Sequence, residues 1–375
     1  MESNIYFINA LSAKLGGGKT YIINLLKYLP DNVKIFISCP DNSMLPDDPR
    51  VIYLETTFAN RTILHRALWE RYKLPKLLNK LNVDVLFVPG GMDFTSKKLS
   101  IPKVTMFRNM LPFDEVALNA LPSRILKLKN YFLKKLMIRT MNSADHIIFI
   151  SEYAKNSIQN LLKIKSASII YHGIAKNFVP SNVTNNPEKI KKNNYILYVS
   201  RFEPYKNHLN VIKAYSKLSK KERLKNKLVI VGEFMEPKYS LCVNYINDNN
   251  LAPYIDIKGK VPYEELPLLY QQASLFVFAS SCENCPNILL EAIGCGSAVI
   301  ASKTEPMPEF ARDSALYFNE LDPDSIYEKL KVVLDSDVMI QEMRNKSIAL
   351  REQYSWENTA LLTWQCLKFI GDKNV

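Results

Sequence analysis

The sequence predicts an α/β protein of two tandem domains, each a parallel sheet wound with helices, and three observations carry that prediction. The chain has 375 residues, more than one ordinary hydrophobic core organises, so two domains of roughly 150 to 200 residues are expected. Short apolar runs of strand length alternate with longer helical patterns in both halves, the signature of βαβ units. Near the middle a polar stretch without periodicity, "SNVTNNPEKIKKNN", breaks the alternation and reads as a linker or surface loop.

In the first half the strand-like runs are "NIYFINA", "VKIFISC", "DVLFVPG", "KVTMFRN", "HIIFIS" and "SASIIYHG". In the second they are "YILYVSR", "KLVIVGE", "YIDIKGK", "LFVFAS" and "AVIAS", with helices around residues 208 to 220, 264 to 272 and 286 to 294. The expected boundaries are 1–178 for the first domain and 190–355 for the second, with a C-terminal helix over 356–375 packing back on the first. Two such domains place a ligand cleft between them, at the carboxyl ends of the strands.

Apolar residues make up 47% and charged residues 23%, a globular rather than a disordered composition. No apolar run approaches the ~20 residues that span a bilayer, and "MESNIYFIN" lacks a signal peptide's basic start and long apolar region, so a cytoplasmic protein is expected. The six cysteines show no disulfide-framework spacing. Cys282 and Cys285 form one C-x-x-C, but with no second pair and no histidine at ligand spacing no metal site is expected. Residues 1–190 hold 26 lysines and arginines against 14 acidic residues, and 191–375 hold 23 against 23, so the whole excess of +12 lies in the first half. That asymmetry points the first half at something anionic: a membrane surface, a lipid phosphate or nucleic acid.

Two stretches carry chemistry. "LGGGKTY", Leu15 to Tyr21, approaches the triphosphate P-loop G-x-x-x-x-G-K-[ST], but the first required glycine is Ala13. In "SLFVFASSCENCPNILLEAIGCGSAVIAS", residues 274 to 302, a buried strand runs into a polar turn, and a helix opens near Pro286. Glu283 then projects at the strand's carboxyl end, and Glu291 lies about one and a half turns into the helix. The exposed N–H groups at such a helix start favour an anion.

The two glutamates with seven residues between them, in the frame "ENCPNILLEAIGCGSAVIAS", resemble the signature of the retaining, nucleotide-sugar-dependent glycosyltransferases of family 4 (glycosyl transferases group 1), which have the GT-B fold. "SRFEPYKNH" is similar to a second element of that family, and "VIVGE", "IDIKGKVPYEEL", "PEF" and "YSWENTA" follow in matching order. The resemblance is strong over residues 195 to 360 and looser before. It implies that Arg201 and Lys206 grip the donor diphosphate, that Glu291 holds the ribose hydroxyls, and that Glu283 contacts the donor sugar with the backbone of Cys285, Asn287 and Ile288 nearby. It also makes "GGGKT" a glycine-rich loop after the first strand, where Gly17 and Gly18 let backbone N–H groups approach the donor phosphates, with Lys19 and Thr20 starting the next helix.

The implied enzyme is a retaining, metal-independent hexosyltransferase with no cofactor beyond its nucleotide-diphosphate sugar donor. It would glycosylate a saccharide acceptor, lipid-linked by expectation, in O-antigen or capsule biosynthesis. Asn284 and Pro286 depart from the family's usual glycine after the first glutamate. In "MFRNMLPF" Arg108 and Asn109 stand where many relatives carry a histidine; Asn109 either orients a substrate sugar or forms a turn. His172 before Gly173 reads as a structural turn. "LPSRILKLKNYFLKKLMIRT" reads as a helix with Arg124, Lys127, Lys134, Lys135 and Arg139 on one side and Ile125, Phe132, Leu133 and Leu136 on the other. Such a helix over 121–139 either docks on anionic lipid or packs its apolar side inward. Two further readings stand beside the glycosyltransferase: an epimerase-like enzyme of the same fold, and a basic nucleic-acid-binding protein. The glutamate pair argues against the first; the lack of clustered aromatics or recognition motifs argues against the second, so no nucleic-acid partner is expected.

Overall fold

The computed structural model describes residues 4–13, 16–95, 99–179 and 194–372. All of the expected linker 181–194 except Asn194 lies outside the described residues. The chain divides into two compact units: Met1–Phe113 with Leu128–Gly173 and Trp356–Val375, and Asp114–Lys127 with Ile174–Ser355. The segment Asp114–Lys127, inside the expected 1–178 domain, thus groups with the second unit.

The first unit contains a seven-stranded parallel sheet of β1 (Asn4–Asn9), β2 (Val33–Ser38), β3 (Val51–Tyr53), β4 (Val85–Val88), β5 (Lys103–Phe107), β6 (His146–Phe149) and β7 (Ala167–Ile169) in the order β3-β2-β1-β4-β5-β6-β7. Helices cover both faces, so a central strand such as β4 is buried at every position and reads as a continuous apolar run. One core cluster joins Phe7, Phe36, Trp69, Leu74, Leu78, Leu86 and Val88. The C-terminal helix Trp356–Asp372 belongs to this unit: Thr363 Oγ1 lies 3.0 Å from Tyr21 Oη, and Trp364 stacks on Tyr6. His172 is buried between Tyr21 and Trp356, with ring centroids 5.6 and 5.2 Å away.

The second unit repeats the design with six parallel strands: β8 (Tyr195–Val199), β9 (Lys227–Val231), β10 (Ile255–Gly259), β11 (Leu275–Phe278), β12 (Val299–Ser302) and β13 (Ala315–Phe318), in the order β10-β9-β8-β11-β12-β13. Its core joins Ile196, Tyr198, Ile212, Leu228, Ile230, Val277 and Ile300. The sequence reading missed β3 and β13, edge strands of three and four residues, too short for a periodicity to register.

In both sheets the direction of winding reverses once, between β1 and β4 and between β8 and β11. At such a switch point adjacent strands lead their loops to opposite faces, leaving a crevice beyond their carboxyl ends. The loop after β8 is packed tightly there: a Cβ on Gly232 would lie 1.7 Å from the Ser200 carbonyl oxygen. Gly232→Ala is therefore expected to lower stability by about 3 kcal/mol or more, because the obstacle is backbone; a urea titration of both forms measures it.

Candidate functional site

On the second unit the candidate residues gather at the β8/β11 switch point. Arg201 follows β8, Lys206 closes the 3-10 turn Pro204–Lys206, and Asn207 takes a left-handed conformation, φ 53°, before helix His208–Ser216. That kink aims the Asn207 amide at the loop after β11, where Nδ2 donates to the Ala279 carbonyl at 2.8 Å and to Ser281 Oγ at 2.6 Å. The Ser281 N–H donates back to the Tyr205 carbonyl at 2.8 Å. The two loops are therefore stitched together, and the stitching brings Lys206 Nζ into a direct ion pair with Glu283. Lys206 is buried, with the rings of Tyr205 and Phe278 5.4 and 5.5 Å from its ammonium.

Arg201 is 53% exposed and pairs with Glu233 at 3.0 Å and Glu203 at 3.5 Å. Every cation of the group thus rests on a carboxylate. An arriving dianion competes with these carboxylates for cations already held in place, so little side-chain order is lost on binding. Glu233 and Glu203 were not singled out in the sequence; a carboxylate two residues after an arginine carries no signal by itself.

Glu291 is the fifth residue of helix Asn287–Gly294 and keeps a separate set of partners. The hydroxyls of Tyr263 and Tyr270 donate to its two oxygens at 3.0 and 3.4 Å, and Phe178 packs edge-on against both rings. Burial pushes its carboxyl up to about 7, against the opposing pull of the two tyrosine donors. Its side chain is half-buried beside these rings rather than solvated on the helix surface. The helix has no side-chain cap at Pro286, and its Asn287 N–H is used internally by the Cys285 carbonyl at 2.9 Å. Of the three backbone positions expected to serve a ligand, Asn287 therefore offers its N–H to its own turn. Cys282 and Cys285 are buried and not joined in a disulfide, and burial pushes the Cys282 thiol up.

The first unit carries a cavity of about 360 Å³ at its own switch point, lined by Ser12, Ala13, Gly18, Pro89, Gly90, Arg108 and Asn109. Gly17 and Gly18 are not in a loop: helix Gly17–Lys27 begins at Gly17, and the reversal falls on Gly16, φ 60°. A Cβ at position 18 would sit 3.3 Å from Ala13 Cα, a tight contact that would require Ala13 to give way by a few tenths of an ångström. The helix start has no side-chain cap and no acidic residue in its first turn, which leaves its N–H groups to water or an anion. Asn109 realises the turn reading, its Oδ1 accepting from the Leu111 N–H at 3.2 Å, and it also lines the cavity.

Two buried charge pairs brace the loop that follows β4, which sequence reasoning missed entirely. Glu70 accepts from the Phe94 N–H at 2.7 Å and from Arg66 at 2.7 Å, while Arg66 donates to the Met92 carbonyl at 3.0 Å. From the other side Lys103 pairs with Asp93 at 3.0 Å. Single charges inside helical or strand patterns give no warning that they will be buried.

Comparison with known proteins follows the same division. Residues 182–349 match the model for glycosyl transferases group 1, and residues 15–178 match that for glycosyltransferase family 4. The chain belongs to glycosyltransferase family 4. An Escherichia coli O-antigen chain mannosyltransferase B is 24% identical over 270 residues, 70% of this chain and 71% of that one. Sucrose-phosphate synthase from Thermosynechococcus elongatus superposes with a TM-score of 0.76 at 15% identity, covering 98% of this chain and 99% of that chain. Anabaena HepE in complex with UDP and glucose gives 0.71 at 14% identity, covering 98% and 100%. This glycosyltransferase therefore has the GT-B fold, two Rossmann-like domains built on parallel sheets.

Proposed function

We propose that this glycosyltransferase is a retaining, metal-independent hexosyltransferase. It would move a hexose from a nucleotide-diphosphate sugar to a hydroxyl of a lipid-linked saccharide in O-antigen or capsule biosynthesis, working in the cytoplasm at the inner face of the plasma membrane. The observation that carries this reading is the Lys206–Glu283 ion pair beside Arg201 at the β8/β11 switch point. The O-antigen mannosyltransferase relative supports the pathway class.

In the proposed reaction the bond from the sugar's C1 to the leaving diphosphate oxygen breaks and a bond from C1 to the acceptor oxygen forms on the same face. The acceptor's proton passes to the departing phosphate oxygen. Negative charge grows on that phosphate, and Arg201 and Lys206 stabilise it as charge-assisted donors, with Lys206 in a site already stripped of water. Glu283 orients Lys206 until the donor arrives, then turns to the hydroxyls of the donor sugar. Glu291, as a carboxylate, accepts from the ribose hydroxyls. On the first unit, the start of helix Gly17–Lys27 and Arg108 give the cavity a positive wall for phosphate oxygens, and Asn109 lines it beside a substrate sugar.

The test is a thermal-shift screen of the purified protein against UDP, GDP, dTDP, ADP and ATP with and without Mg²⁺. One nucleoside diphosphate is expected to raise the melting temperature without metal, by an amount that grows with the logarithm of its concentration. Stabilisation by Mg-ATP alone would sink the reading and return "GGGKT" to the triphosphate loops.

A further inference from the structure

The helix Arg124–Asn142 turns the wrong side outward for an ordinary surface helix. Its buried residues are Met137, Thr140 and Met141, while Ile125, Leu128 and Phe132 are 78%, 57% and 60% exposed. At 3.6 residues per turn these three fall within about 60° of one another, on the side away from the buried stripe. The alternative in which Ile125 and Phe132 pack inward is thereby ruled out.

The basic residues divide in a way the sequence did not foretell. Lys127 donates to the Asn119 carbonyl at 2.9 Å, Lys134 lies over the Phe113 ring at 5.4 Å, and Arg139 reaches the Thr95 carbonyl at 3.4 Å, so these three fasten the helix to its surroundings. Arg124, Lys129 and Lys135 are exposed and flank the apolar stripe on its two edges, with Lys135 4.4 Å over the ring of Tyr131. From residue 116 to residue 144 the chain contains no aspartate or glutamate.

We infer that this helix face is a membrane-docking surface, with Ile125, Leu128 and Phe132 entering the acyl boundary of an anionic bilayer while Arg124, Lys129 and Lys135 meet its phosphate headgroups. An apolar ridge framed by cations matches the depth profile of such an interface, where long basic side chains keep their heads at the headgroup level. A protein groove would need carboxylates placed opposite both edges, whereas an anionic leaflet presents negative phosphates everywhere. Among the described residues no helix is long and apolar enough to cross a membrane, so attachment through this face is peripheral. The inference deepens the reading of a lipid-linked acceptor and rests on it.

Vesicle flotation of the full chain tests it, using phosphatidylcholine vesicles with and without about one third phosphatidylglycerol at physiological salt. Wild type is expected to float with the anionic vesicles at least about tenfold more than with neutral ones. Ile125→Ser/Leu128→Ser/Phe132→Ser should lose most of that binding, and Arg124→Gln/Lys129→Gln/Lys135→Gln should lose the preference for anionic lipid. Equal flotation of wild type and the apolar triple variant overturns the inference, as does no flotation by wild type. A wild-type dimer that becomes a monomer in that variant, without lipid binding, would assign the face to self-association instead. The melting-temperature rise with nucleoside diphosphate, measured on wild type and every variant, separates the outcomes: if wild type shows it but does not float, the surface is misassigned and the glycosyltransferase reading stands, and its persistence in the apolar triple variant shows that lost flotation there is not lost folding.

Discussion

Glu291→Ala is expected to remove most of the thermal stabilisation that the nucleoside diphosphate confers, weakening its binding by about 100-fold. Two hydroxyl hydrogen bonds to a charged acceptor contribute roughly 1.5 kcal/mol each at the low end, and tenfold in affinity corresponds to about 1.4 kcal/mol. The pH dependence adds a second signature. The free carboxyl titrates near 7, raised from 4.5 by burial, and two ribose hydroxyls are best accepted by its ionised form. Binding should therefore tighten as pH rises towards and through 7, and should release a proton in that range. The sign for stability is opposite. A carboxyl whose folded value is raised contributes stability that is complete below 4.5 and is lost as pH rises through 7. The ligand-free wild type should thus lose stability relative to Glu291→Gln between pH 4.5 and 7. Calorimetric titration in two buffers of different ionisation enthalpy, together with melting curves across that range, checks both. A pH-independent affinity would falsify the assignment of Glu291 to the ribose.

Lys206→Met should reduce kcat/KM by about 100-fold or more, the usual consequence of removing one preorganised donor to a developing oxyanion. It should also destabilise the fold by about 3 kcal/mol, because Lys206 is buried and its loss leaves Glu283 without its cation. The two effects separate in the double variant Lys206→Met/Glu283→Gln. Removing both charges recovers most of the stability, while activity stays low because no cation faces the diphosphate. Arg201→Ala provides the contrast: its side chain is half exposed, so stability should change by less than about 0.5 kcal/mol while kcat/KM still falls at least tenfold. Urea titrations alongside initial rates with the donor found by thermal shift measure all three. Recovery of activity in the double variant would show that Lys206 supports the fold rather than the reaction.

Most of the architecture was legible because a parallel sheet covered on both faces demands near-continuous apolar strands, and those runs survive in a one-dimensional reading. Eleven of the thirteen strands among the described residues registered as apolar or alternating runs, whereas the short edge strands β3 and β13, of three and four residues, did not. The spacing from Glu283 to Glu291 likewise follows from a strand end and a helix start, so their placement was available from local sequence. The expected glycine loop gives way to helix two residues early, at Gly17, because glycine permits both a turn and a helix start and so leaves the boundary open in the sequence.

The sequence alone determined the α/β fold class, which rests on periodicity, and its resemblance to a known family pointed to that family and to the charged residues at the second unit's switch point. Tertiary structure decided which carboxylate each cation rests on, the tyrosine pair that shields Glu291, the buried braces on the loop after β4, and the outward face of Ile125 and Phe132. Those depend on contacts between residues far apart in the chain, and on burial. An amphipathic pattern fixes that a helix has two sides but not which of them meets the core.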